Sequence, residues 1–343
     1  MRTALPNPAR YVPYGQLGDQ RNIIVDGRAQ AATVLTLSHW PWNATPAELR
    51  RDTSTEIVFA YLERPDLHRQ IEIVSNGHFD EDGLLSMFAL VAPQTAMNHR
   101  QLLIDTARAG DFAVCTSADA ARLSFVLAAY ADADLSPLPA EIFQGTACEK
   151  VSGLYRSMLG LLPNLLAKPL GQRRYWEEEY RHFKQSQEYL QSGQVSIDEI
   201  NEHDIAIIHI PADLPARTVR RYLECWSRPV HPFAVHNQTD CNRLVWLQGR
   251  SIEAQYRYES WVELATRRTS LRVDLTALAT RLNTTESSRG KWEFEGVNEV
   301  APRLHLRGVS ETTIDAETFI AELVQYLDAE PAAWDPYRKP EDR

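Results

Sequence analysis

Apolar residues recur along the first third of the chain with two alternating periods. RNIIVDG, ATVLTLSHW and IEIVS are short β-branched runs ended by polar or turn residues, the pattern of strands. Between the second and third lies TPAELRRDTSTEIVFAYLERPDL, where Ile57, Val58, Tyr61 and Leu62 make one helical face; Thr45 is the expected cap and Pro46 the first helical position. Leu84, Leu85, Phe88 and Ala89 continue at helical spacing after the third run. RQLLIDTARAGDF and SADAARLSFVLAAYADA are further helices, the latter capped by Ser117. Strands alternating with helices to about residue 135 predict an α/β layer with a mostly parallel sheet, whose strand ends hold ligands.

The pattern then changes. Residues 145–193 are rich in Leu, Glu, Arg and Tyr and predict two or three helices with a break at Gly160 to Pro163. DIAIIHIP reads as a strand and RTVRRYLECW as a helix. RLVWLQG and SIEAQYRYESWV alternate with period two around a short turn, an antiparallel hairpin. VDLTALATRLN is a helix, WEFEG and RLHLRG are strands, and DAETFIAELVQYL is a closing helix capped by Asp315. The organisation expected is a mostly parallel α/β domain at 1–145, a helical bridge at 146–195, a smaller α+β domain at 196–330 and a frayed tail at 331–343.

Composition narrows the function classes. A net charge of −10, from 36 basic and 46 acidic residues, gives no drive toward duplex nucleic acid or an anionic membrane. No apolar run reaches the ~18 residues of a membrane span, and the first 20 residues have no signal-peptide core, so a cytoplasmic protein is expected. The four cysteines form no CxxC pair and fit reduced thiols. GxSxG, P-loop, GxGxxG and HExxH patterns do not occur.

Candidate chemistry concentrates in SNGHFDEDGLLSMFALV, residues 75–91. His78, Asp80 and Asp82 alternate where a strand ends, so their side chains can converge above the sheet edge, and Gly83 is expected to permit the turn into the helix. One imidazole with carboxylates is a mixed oxygen and nitrogen donor set suited to Mn²⁺, Fe²⁺, Zn²⁺ or Mg²⁺. A calcium loop of the EF-hand kind is excluded, since the twelfth position from Asp80 is Val91 rather than Glu. The competing reading is that the acids cap the following helix. Capping accounts for one or two of them and leaves His78 unexplained.

NGHFDEDGLLSMFAL resembles the first motif of the DHH phosphoesterases, in which a strand, a D-x-D-G or H-x-x-x-D-x-D segment and a helix supply ligands for two manganese ions. The resemblance implies that His78, Asp80 and Asp82 are metal ligands and that the cofactor is one or two divalent ions, Mn²⁺ first. No Asp-His-His triplet and no GGGH segment occur in the chain, so either other residues complete such a site, or it holds one metal, or the similarity is local convergence. The wider chain, with LTLSHW, DTSTEI, HPFAVHNQT and YRYESWV, is similar throughout to an uncharacterised family of bacterial proteins, a domain of unknown function.

His39 ends a strand as His78 does, and Asp52 lies at the start of the next helix, which makes these two the next metal candidates. Asp105 and Asp111 read as helix-surface acids. In the second half, His231 and His236 of HPFAVHN and Arg257 of YRYESWV, with Glu259 on the same face, are candidates to neutralise or protonate a substrate. The expected function is a metal-dependent hydrolase, a phosphoesterase of nucleotides or other small phosphoesters. The alternative is a non-catalytic DHH-like protein that binds a ligand or partner. The oligomeric state is not legible.

Overall fold

The computed structural model of the chain describes residues 5–221 and 223–339, except for the side chains of residues 169 and 170. It is a mixed α/β structure whose contacts divide into two compact units: residues 1–182, 218–227 and 264–266 form the first, and the remainder forms the second.

Unit 1 is built on four parallel strands, β1 (Arg10–Tyr11), β2 (Asn22–Val25), β3 (Thr33–Leu37) and β4 (Ile73–Ser75), in the order β1-β4-β2-β3. Val25, Leu37 and Val74 are fully buried, the continuous burial typical of parallel strands covered by helices. The helices are α1 (Ser54–Leu62), α2 (Glu81–Val91), α3 (Pro93–Asn98), α4 (Arg100–Phe112), α5 (Ala118–Ala131), α6 (Ala147–Ala167) and the first half of α7 (Arg173–Gln191), whose residues from Phe183 onward are counted in unit 2. Ser117 caps α5 as expected, but Thr45 does not start a helix. Its hydroxyl donates to the Ser38 carbonyl at 2.8 Å, with the Thr36 carbonyl at 3.1 Å, and locks the turn after β3, while α1 begins later in the chain behind a Thr53–Glu56 capping box. The break expected at Gly160 to Pro163 is also displaced: Pro163 lies inside α6, and the chain turns at 168–172. Rather than standing apart as a bridge, α6 buries Leu154, Tyr155, Met158 and Leu162 in the core of unit 1.

In chain order the later elements are β5 (Ser196–Ile200), β6 (Ile205–Ile210), β7 (Arg217–Arg221), β8 (Glu224–Arg228), α8 (Pro232–His236), β9 (Arg243–Gln248), β10 (Ser251–Tyr256), β11 (Arg272–Val273), α9 (Thr276–Thr285), β12 (Lys291–Phe294), β13 (Arg303–Arg307), α10 (Ala316–Ala329) and β14 (Ala332–Trp334). A six-stranded sheet, order β12-β13-β10-β9-β6-β5, organises unit 2; only its β6–β9 pairing is parallel among the described residues. β6 feeds two cores, Ile205 and Ile207 into one face and Ala206, Ile208 and Ile210 into the other.

Two expectations fail here. RTVRRYLECW forms the two-stranded β7–β8 sheet, because the i, i+3, i+4 set Val219, Tyr222, Leu223 imitates a helix face while the chain buries alternate residues Val219 and Arg221. The tail expected to fray from 331 contains β14, which pairs with β11 and buries Trp334 against Trp261; residues 340–343 of that tail lie outside the described residues.

Candidate metal centre

The C-terminal ends of β2, β3 and β4 deliver acids and imidazoles to one rim of the parallel sheet. Asp26 follows β2, His39 follows β3 by two residues, and the acidic turn follows β4. Asp26 has φ of 44°, a left-handed conformation that Asp tolerates better than most residues and that aims its carboxylate across the rim.

Asp26 is the meeting point of two donor sets. Its Oδ1 lies 3.3 Å from His39 Nε2, and Asp82 Oδ2 lies 3.8 Å from the same nitrogen. Its Oδ2 lies 3.1 Å from His78 Nε2, which is 2.9 Å from Asp80 Oδ2. Among the described residues, the groups of three or more able to hold a metal ion are these two, Asp26–His39–Asp82 and Asp26–His78–Asp80. Ligands at about 2.0 to 2.1 Å from an ion stand roughly 3.0 Å apart in adjacent octahedral positions and about 3.3 Å apart in a tetrahedron. Three of the observed separations, 2.9, 3.1 and 3.3 Å, are of that size, and the His39–Asp82 separation, 3.8 Å, is longer. The buried Asp26–His39–Asp82 set can therefore hold a metal ion.

The surroundings orient each donor. His39 Nδ1 lies 2.6 Å from the Asp52 carbonyl, which accepts its proton and leaves Nε2 facing the acids, the outer-shell arrangement of many metal-binding imidazoles. Asp82 accepts backbone N–H groups of Ser54 (2.6 Å) and Thr55 (2.7 Å), so it caps α1 rather than its own helix. Asp80 caps α2 through Gly83 N while its other oxygen faces His78. Phe79 points between them into the core against Tyr155. At Asp80 capping uses one oxygen and leaves the other facing His78, whereas at Asp82 the oxygen nearest His39, Oδ2, also accepts from Ser54 N.

Burial is graded. Asp26, His39 and Asp82 are at most 1% exposed at the side chain, whereas Asp80 is 11% and His78 31% exposed. Solvent reaches the second donor set and not the first.

Two further buried acids surround the pair. Asp111, at the end of α4, lies 3.5 Å from His39 Nε2, and Glu81 receives a long hydrogen bond from Ser124. Five carboxylates (Asp26, Asp80, Glu81, Asp82, Asp111) therefore share this region with two imidazoles, and with Arg221, whose charge acts on Glu81. Such a surplus of buried negative charge is resolved by protons or by a cation. Without a cation the protons supply it. Burial opposes the charged form of Asp26, yet His39 and His78 overcome it and hold that carboxyl well below the usual range. Burial also opposes the His39 cation, and Asp26 and Asp82 lift it to about 9. His78 is lifted well above its ordinary value against burial by Asp80 and Asp26. Burial, followed by the charge of Asp80, pushes Glu81 up to about 7, and burial with the charge of Asp26 does the same to Asp82. Asp111 is raised well above the carboxylate range by burial and the charges of Asp82 and Asp80.

The glycines of the site have a steric role. Gly83 sits inside α2 rather than in a turn, and a Cβ there would stand 2.5 Å from Asn76 Nδ2 and 2.7 Å from the Tyr155 hydroxyl. A Cβ at Gly110 would stand 2.7 Å from that of Glu81. In an open helix, Gly→Ala adds up to about 1 kcal/mol of stability. Here Gly83→Ala is expected to cost about 1 to 3 kcal/mol through overpacking, read as a lowered midpoint in urea. A stabilised variant would show that Asn76 and Tyr155 give way freely.

Of the residues singled out from the sequence, His39, His78, Asp80 and Asp82 come together. Asp52 contributes its carbonyl, while its carboxylate is committed elsewhere, to the N–H groups of Ala265 and Thr266 at 2.8 and 2.9 Å. His231, His236 and Arg257 belong to unit 2. His231 caps α8, accepting from Phe233 N, and His236 is buried at the end of that helix. Arg257 is buried, donating to the Thr239 and Cys241 carbonyls and pairing with Glu259, a brace for the loop before β9. Asp111, expected on a helix surface, is buried beside His39; Asp105 is partly exposed and bonded to Gln101. Sequence reasoning missed Asp26 and Glu81. Asp-Gly after a strand is a common turn, which hid the first, although three strands of one parallel sheet ending in Asp, His and His was a readable signal.

No helix among the described residues is long and apolar enough to cross a membrane. No curated protein and no solved structure matches the chain. A family model does match, over residues 7–338, nearly the whole sequence, and the chain accordingly belongs to DUF6687, a family of unknown function.

Proposed function

We propose that the protein is a metal-dependent hydrolase of small phosphoesters that works with two divalent ions, manganese first. The observation that carries this reading is the shared carboxylate: the two oxygens of Asp26 face two different imidazoles, each completed by a further Asp. One carboxylate bridging two donor sets is how ions about 3.5 to 4 Å apart are held in two-metal hydrolases. Mixed imidazole and carboxylate donors of intermediate hardness favour manganese over calcium.

Divalent ions held there would lower the pKa of water toward neutrality and neutralise phosphate oxygens. The chain's own groups divide the remaining tasks. Asp26, His39 and Asp82 are buried and fixed by α1, and give a rigid base; His78 and Asp80 face solvent, where substrate and water arrive. Water adds to phosphorus, the ester P–O bond breaks, and the alcohol leaves carrying a proton. The net charge of −10 supports a small phosphorylated substrate over duplex nucleic acid.

The test is turnover of p-nitrophenyl phosphate and bis(p-nitrophenyl) phosphate by manganese-loaded protein. Asp80→Asn is expected to lower kcat/KM at least about 100-fold, the scale of losing a metal-positioning group. Stoichiometric metal with no turnover of either ester would end the hydrolase reading and leave a metal-binding protein.

A further inference from the structure

Within unit 1 a cavity of about 400 Å³ has Asp80 and Glu81 in its wall. Its other walls come from α5, the start of α6 and the β7–β8 segment. Apolar side chains dominate, among them Phe79, Leu84, Leu127, Phe143 and Leu154. Leu223, left-handed at φ of 62° and more than half exposed, lines it from the β7–β8 connection.

Its charges do not form a polyphosphate cradle. Arg220 is paired with Asp132 at 2.8 Å and with Glu179 at 3.4 Å, and Arg221 donates to the carbonyls of Gly110 and Asp111. Lys150 is the third cation of the wall, against four carboxylates, Asp80, Glu81, Asp132 and Glu224. Such a wall repels a ligand with several negative charges beyond the one a metal centre would neutralise. A mainly apolar space of this volume is suited to a compact organic group.

We infer that this cavity holds the organic part of the substrate, and that the substrate is the phosphate monoester of an aryl or branched alkyl alcohol. The inference rests on the hydrolase reading for the word substrate, while the cavity's preference can be measured apart from turnover. Cys225 lines the cavity and is exposed, so its alkylation reports occupancy.

The experiment uses full-length, manganese-loaded protein carrying Cys148→Ser, which removes the other exposed thiol. Alkylation of Cys225 by iodoacetamide is followed by peptide mass spectrometry with 2-naphthylmethylphosphonate, a non-hydrolysable probe, or with methylphosphonate. At ten times its Kd the naphthyl compound is expected to slow alkylation about tenfold, with methylphosphonate at the same concentration leaving the rate within about twofold. Ala128→Trp, which fills the cavity from α5, is expected to abolish the protection while retaining the metal content of the parent. Equal slowing by both compounds, or by neither, would overturn the inference. Protection without turnover of 2-naphthyl phosphate would sink the hydrolase reading and leave the cavity's ligand class standing. Turnover of phosphoesters with no protection and no aryl preference would sink the cavity inference alone.

Discussion

Asp26→Asn is expected to empty both candidate metal positions at once. After manganese loading and desalting, the parent is expected to carry about two ions per chain by plasma mass spectrometry, Asp80→Asn about one, and Asp26→Asn less than about 0.2. The reasoning is geometric: Asp80 serves only the donor set around His78, whereas Asp26 presents one oxygen to each set. Asparagine is isosteric with aspartate, so the amide oxygen of the variant can still accept from the Ser54 hydroxyl that now bonds Asp26 Oδ1 at 2.9 Å, which keeps one anchor of the rim. Circular dichroism and the thermal midpoint of the metal-free protein serve as the control. An Asp26→Asn protein that retains one ion would show that the two sets are independent and that the bridging role is wrong.

Metal-free protein is expected to lose stability as pH rises from 5 to 9, and manganese to reverse that slope. A group whose folded pKa is raised binds more protons in the folded than in the unfolded state, so its stabilisation is present below the unfolded pKa and is lost as pH climbs through the folded one. His39 loses its contribution between about 6.5 and about 9. Glu81 and Asp82 lose theirs between the ordinary carboxylate range and about 7, and Asp111 and His78 shift in the same direction. Asp26 has the opposite sign, but its window lies below the ordinary carboxylate value and does not enter the range. The summed loss is on the order of a few kcal/mol. Manganese is expected to take the place of the protons, so that binding at pH 7 releases them and tightens as pH rises. At 100 times its Kd each ion adds about 2.7 kcal/mol, a midpoint gain of roughly 5 to 10 °C. Calorimetric titration in buffers of different ionisation enthalpy counts the released protons. A flat apo profile from pH 5 to 9, or metal binding without proton release, would show that the buried acids do not give up protons to solvent when the ion binds.

The strand runs, most helices and the acidic turn were legible because periodicity and turn chemistry are local. The β7–β8 segment was not, since its alternate burial of Val219 and Arg221 exists only once it is folded into unit 1 with distant residues. The same divide runs through the site. His39, His78, Asp80 and Asp82 stand out as polar residues where strands end. Asp26 was hidden by a dipeptide that ordinarily makes a turn, and Asp111 by an amphipathic helix whose polar position happens to face the core. Asp52 misled for a related reason: its backbone carbonyl orients His39, while its side chain looks away. Arg257 was legible as a partner of Glu259, but its burial among backbone carbonyls is a property of the folded chain.

The first unit draws on segments far apart in sequence: Arg220 and Arg221 at 218–227, and the Ala265 and Thr266 amides that hold Asp52. On a ribosome these arrive late. The rim of β2, β3 and β4 is translated within the first quarter of the chain, but its last supports emerge only when about three quarters has been made. Domains that close on themselves fold as they appear, N-terminal first; this one is complete only when residues 218–227 and 264–266 have been added, with the second unit's sequence well under way. A nascent chain arrested near residue 200 would hold the donor residues and lack both the β7–β8 part of the cavity wall and the clasp on Asp52.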